Sequence, residues 1–356
     1  SGRMYPDYNN GQQAFNYQSS LNQPVNYNNG FVPYQDPVKL EKKNIRSYGN
    51  RLGGAMLLTL VGVNIIGVIF VMAATIINKQ MANSPIFDLV FQFIFSILMF
   101  VPAFAIVAKL SKFRIGDLFV HKSIPASHTF WFVCMGLMVS MGANVVVNWW
   151  YNILDGLGCN LDFGELELPD SVGGIIFWVF TISVLPAIVE EFGMRVVTLG
   201  MLRQFGDPFA IVASALIFGI IHGNAIQIPF AFALGLILAY ITVVTGSVIP
   251  AIIIHFINNF YSCITQIATE LCSKEIQFIV NYVPFILFVI LGLIGCVFLS
   301  RKTVYFKKRL YRPQSLLTQR RSFVTFFFTS PCIIIFWAYH ILQAGLLLLP
   351  QMAEFL

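Results

Sequence analysis

Apolar runs recur along this chain at about 53–77, 87–109, 128–153, 173–203, 208–226, 228–245, 247–271, 276–300 and 323–349. Most are long enough to cross the ~30 Å hydrocarbon core of a bilayer as a helix. Nine such runs confine the chain to one kind of fold, an all-α polytopic transmembrane bundle of about eight to nine helices. The rest of the composition agrees. Charged residues make up 11% of the 356 residues, where a soluble domain carries about 25%, and the mean hydropathy is +0.75. The runs near 208–226 and 228–245 are short, so either is expected to tilt or re-enter instead of simply spanning.

The remaining segments read by contrast. Residues 1–38 are rich in Asn, Gln, Tyr, Gly and Pro and poor in aliphatic side chains, so they bury too little surface to fold alone and are expected to form a disordered cytoplasmic tail. No charged stretch followed by a short apolar core marks a cleavable signal. The net charge of +6 does not indicate nucleic acid, because it sits beside the apolar runs: Lys39, Lys42, Lys43, Arg46 and Arg51 before the first, Lys109, Lys112, Arg114 and Lys122 after the second, and a cluster from Arg301 to Arg321 before the last. Basic clusters beside spans mark the cytoplasmic face and anionic lipid. They predict an integral multi-pass membrane protein with its amino terminus inside, in a bacterial cell membrane or, in a eukaryote, the endoplasmic reticulum. The acidic loop from Asp155 to Ser171 is then external. Six cysteines without a CxxC pair fit packing better than a disulfide frame or a zinc knuckle.

Against this background a few ionisable groups stand out at membrane depth. Glu190 and Glu191 lie in the fourth run, His222 near the end of the fifth, and His255 in the seventh with Asn258 and Asn259 after it. A rise of 1.5 Å per residue from the expected cytoplasmic ends puts Glu190 roughly 20 Å deep, His222 roughly 21 Å and His255 roughly 12 Å. Residues four apart share a helix face, which pairs Glu191 with Arg195, Phe218 with His222, and His255 with Asn259. Taken singly, each has a structural explanation: an ion pair that fixes packing, a satisfied core histidine, an interhelical amide. Their convergence within a short window favours function. A buried carboxylate next to imidazole can take a proton from water, and histidine and asparagine supply donors for an oxyanion. GxSxG is absent and no cysteine has a histidine neighbour in sequence, so water is the expected nucleophile. Asn258, about 100° round its helix from Asn259, is expected to tolerate replacement.

These residues carry a resemblance. EExxxR (Glu190, Glu191, Arg195), FxxxH (Phe218, His222) and HxxxN (His255, Asn259), with "TGSVIPAIIIHFINN" around the last, resemble in order and spacing the CAAX prenyl protease and bacteriocin-processing family of intramembrane glutamic proteases. The resemblance spans 173–272 as a protease core, between N-terminal helices in 39–172 and C-terminal helices with a basic loop in 273–356. It implies a cavity open to the cytoplasm and a metal-independent, cofactor-free endopeptidase. By that resemblance Glu190 is the general base, His222 positions the water, and His255 and Asn259 stabilise the oxyanion. Glu191, Arg195 and Phe218 support them. The substrate would be a membrane-associated peptide or protein, either prenylated and CAAX-like or a leader or signalling peptide. Met194 before the arginine and Val196 after it depart from the commoner pattern. Two alternatives stay open: a zinc peptidase using Glu190, His222 and His255 as ligands, despite the missing HExxH, and a non-catalytic scaffold regulating a membrane partner protein.

Overall fold

The structure, a computed structural model, describes residues 36–77, 84–112, 123–161, 166–301, 305–307, 309–312 and 321–349. Nearly all of the amino-terminal tail, part of the acidic loop and part of the basic cluster before the last run therefore lie outside the described residues. Ten helices form and, among the described residues, no strand: α1 (Val38–Ile77), α2 (Pro85–Leu110), α3 (Ala126–Gly156), α4 (Val172–Phe205), α5 (Asp207–Ile220), α6 (Gln227–Thr245), α7 (Ile249–Leu271), α8 (Lys274–Arg301), α9 (Arg321–Phe328) and α10 (Pro331–Leu347). Seven of them are long and apolar enough to cross a membrane.

Three differences from the reading of the sequence have local causes. The last run is broken into α9 and α10, because Pro331 cannot continue a helix and drives Ser330 into the extended region, at φ −67° and ψ 132°. The first helix starts well before its apolar run. Its basic stretch is amphipathic, burying Ile45, Tyr48 and Leu52 while the cations face away, with Lys42 and Arg46 each 5.0 Å from the Phe326 ring. The fifth run yields only the 14 residues of α5, about 21 Å long and short of the ~30 Å core. It stops in a turn at His222 and Gly223.

Two large apolar clusters form most of the interior, with a small third one, Leu89, Trp178 and Cys263, between α2, α4 and α7. One gathers α1, α2, α4, α5 and α10 around Leu52, Phe104, Val197, Leu202, Ile217 and Phe336. The other gathers α3, α6, α7 and α8 around Phe132, Leu137, Leu238, Ile254 and Leu299. The packing of α4 on α7 joins them, and the polar residues lie on that seam. Large apolar side chains elsewhere, such as Ile65, Val68, Ile69 and Met72 on α1 and Ile279, Val283, Ile286 and Ile290 on α8, are exposed, as lipid contact requires. Lipid supplies no hydrophobic force between helices, so close approach of backbones has to hold them together. At Gly292 on α8, a Cβ would overlap Met138 Cβ and come 2.9 Å from the Cys134 carbonyl of α3. Gly292→Val is therefore expected to cost about 1–3 kcal/mol, whereas Gly345→Ala, with nothing within 4 Å of the added Cβ, should not. Thermal unfolding of both variants in detergent checks this.

Candidate active site

The site is built on the irregularities of α4. Pro186 has no N–H and its ring pushes on the carbonyl one turn back, and α4 widens into a π-helix at Phe180–Val184 just before it. A second π segment, Phe192–Leu199, follows Glu191, and there Thr198 Oγ1 donates to the Gly193 carbonyl five residues back at 2.8 Å. Gly193 itself lies against α2, where a Cβ would be 2.5 Å from the Phe100 ring. The widened turn still keeps Glu191 and Arg195 on one face.

Adjacent glutamates meet opposite environments. Glu191 and Arg195 are both fully buried, and Glu191 Oε2 lies 3.0 Å from Arg195 Nε. The other oxygen of Glu191, Oε1, is 2.9 Å from His255 Nδ1 on α7. A carboxylate paired with a guanidinium only accepts, so Nδ1–H donates, and Nε2 is the nitrogen that His255 turns elsewhere. It faces Glu190 Oε2 at 3.9 Å, too far for a direct hydrogen bond. Glu190 retains 28% of its side-chain exposure, yet its Oε2 is buried without a hydrogen-bond partner.

Phe218 is the hub of the remaining contacts. Its buried ring takes the Arg195 guanidinium at 4.6 Å, the edge of His222 at 5.1 Å and the edge of His255 at 5.7 Å. Aromatic faces attract cations, and buried guanidinium groups gain from such stacking. The Phe218 carbonyl also accepts from His222 Nδ1 at 2.8 Å, which leaves Nε2 as the free nitrogen of His222. The turn that follows is pinned on several sides. Trp150 Nε1 of α3 donates to the Ala225 carbonyl at 3.1 Å, and Asn224 Oδ1 accepts from the Ile226 and Gln227 amides at the start of α6. Gly223 has φ +69°, and a Cβ there would meet His340 Nδ1 of α10 at 3.2 Å. Both the backbone conformation and the space demand glycine.

All seven residues singled out in the sequence thus lie on the α4, α5 and α7 faces around one region, with differences in detail. His255, not His222, is the imidazole beside Glu190. Asn259 Nδ2 donates to the Ile182 carbonyl of α4 at 3.3 Å. Asn258 is not a bystander: it is buried and hydrogen-bonded both to Asn259 and to Ser140 of α3. Ser140 carries no signal in the sequence that separates it from any other helix serine. Among the described residues, no three His, Cys, Asp or Glu side chains cluster as a metal-holding set.

Removing one partner of the buried pair leaves a bare charge in a low dielectric. Arg195→Met is expected to lose about 3–5 kcal/mol of stability. The Glu191→Gln, Arg195→Met double variant should lose less than that single change, because no unpaired charge remains. Thermal unfolding of the two proteins tests the sign.

No curated protein and no solved structure matches the chain. Residues 172–261, about a quarter of its length, match the family model described as type II CAAX prenyl endopeptidase Rce1-like. That segment holds all three motifs and the helices that converge on the site, and over this core the chain is similar to that protease family.

Proposed function

We propose that this protein is an intramembrane endopeptidase that hydrolyses a membrane-associated peptide with Glu190 as general base and without a metal. The observation that carries this is the gap between Glu190 Oε2 and His255 Nε2, 3.9 Å wide. With Nδ1–H of His255 committed to Glu191, neutral Nε2 is an acceptor, and so is the Glu190 carboxylate. Two acceptors at that distance cannot bond each other. A water molecule, with two protons to donate, complements both and turns its lone pairs outward.

The steps follow from these positions. Glu190 takes a proton from the water as its oxygen attacks the scissile carbonyl carbon, and the same proton passes to the leaving amine when the C–N bond breaks. Asn259 gives one amide N–H to the Ile182 carbonyl. Its second N–H is assigned to the carbonyl oxygen that becomes the oxyanion. His222, held at Nδ1 and free at Nε2, adds a donor to that oxygen when protonated. Glu191, Arg195 and Phe218 keep His255 in place. The name of the matching family suggests a prenylated peptide ending in CAAX as substrate, a leader or signalling peptide being the runner-up. The basic residues at the N-terminal end of α1 and the C-terminal end of α2 suggest that those two ends are cytoplasmic and that the substrate enters from that side.

Purified protein in detergent should release the C-terminal tripeptide from a farnesylated CAAX peptide, with or without chelator. Glu190→Gln should lower kcat by about 10²- to 10⁴-fold with an unchanged thermal midpoint. Full activity of that variant, or its abolition by chelator in the wild type, would overturn the mechanism.

A further inference from the structure

A chain of side-chain hydrogen bonds crosses three helices and ends at the site. Ser140 Oγ of α3, fully buried, donates to Asn258 Oδ1 of α7. Asn258 Nδ2 donates to Asn259 Oδ1 at 3.2 Å, and Asn259 Nδ2 donates to the Ile182 carbonyl of α4 at 3.3 Å. The polarity of this chain follows from its last member. The Ile182 carbonyl lies in the π segment of α4, one turn before Pro186. A carbonyl can only accept. Asn259 must therefore present Nδ2 to it, which turns Oδ1 toward Asn258. Asn258 must then present Nδ2, which turns its own Oδ1 toward Ser140, and the serine must donate.

We propose that Ser140 and Asn258 are positioning residues for Asn259: together they fix the orientation of its amide and hence the direction of its second N–H. The inference rests on the proposed role of Asn259 in meeting the substrate carbonyl. Ser140 lies on α3, outside the segment that resembles the protease family, so the N-terminal helices contribute to the site and do not merely surround it. An amide is nearly symmetric in shape, and a half-turn of the Asn259 side chain would put an oxygen where the donor belongs. The chain makes that half-turn expensive, because it would set oxygen against the Ile182 carbonyl and N–H against N–H at Asn258.

The test uses the full-length protein and a farnesylated CAAX peptide. Ser140→Ala, a small truncation, should lower kcat about threefold to tenfold with KM within about twofold. In an Asn259→Ala background the same change should leave kcat nearly untouched. An unchanged kcat in Ser140→Ala, or an equal loss in both backgrounds, overturns the proposal. Thermal midpoints separate it from the functional reading. If the wild type cleaves no prenylated peptide, that reading falls. The chain is then decided by whether the midpoint shifts of Ser140→Ala and Asn259→Ala, residues joined through Asn258, are non-additive as expected or additive, which refutes it.

Discussion

The site depends on one buried ion pair. Glu191 and Arg195 are sealed from solvent and face each other at 3.0 Å, which is tolerable at membrane depth only because each charge has a second partner as well. Glu191 holds the Nδ1–H of His255, and Arg195 lies on the face of Phe218. Through these two contacts the pair ties α4 to α7 and to α5, and everything else in the site is placed relative to it. Breaking even balance among these groups would leave a charge with nowhere to go, so α4, α5 and α7 are bound to one register more strictly than apolar packing alone would require.

Two glutamates in a row then meet different surroundings for a geometric reason. Successive residues on a helix point about 100° apart, so when Glu191 is turned into the seam, Glu190 is turned toward its edge. There it keeps partial exposure and an unpartnered oxygen. Glu191 is committed to Arg195 and His255, whereas Glu190 Oε2 has no hydrogen-bond partner. The proposed division, one glutamate to build and one to react, therefore needs no more than the pitch of a helix and a single arginine.

Much of this was legible in the sequence, and the parts that were not share a cause. Helices are readable here because lipid demands long apolar runs, and Glu190, Glu191, Arg195, His222 and His255 stand out because an ionisable group in such a run needs a reason to be there. Even the break before α10 is marked, by Ser330–Pro331. What periodicity could not supply is which residues of different helices meet. His255 and Glu190 are 65 positions apart, and their facing atoms depend on the register of α7 against α4. Helix pitch turns Asn258 about 100° away from Asn259. Its side chain still reaches Asn259, because Ser140, 118 residues distant, holds its other end. Buried serines and asparagines announce nothing until their partners are known.

The candidate site residues also coincide with places where regular helix fails. α5 ends after 14 residues, and His222 lies in the turn directly after it. The π segments of α4 bracket Leu185–Glu191, the stretch that carries both glutamates. The Ile182 carbonyl, in the first of these segments, accepts from Asn259. In lipid such defects are tolerated only where protein or trapped water satisfies the freed backbone. A regular helix offers no spare backbone group with which to orient a side chain, whereas an interrupted one does. Each interruption is thus a cost that the surrounding side chains must meet, and the side chains that meet it are held in place by doing so.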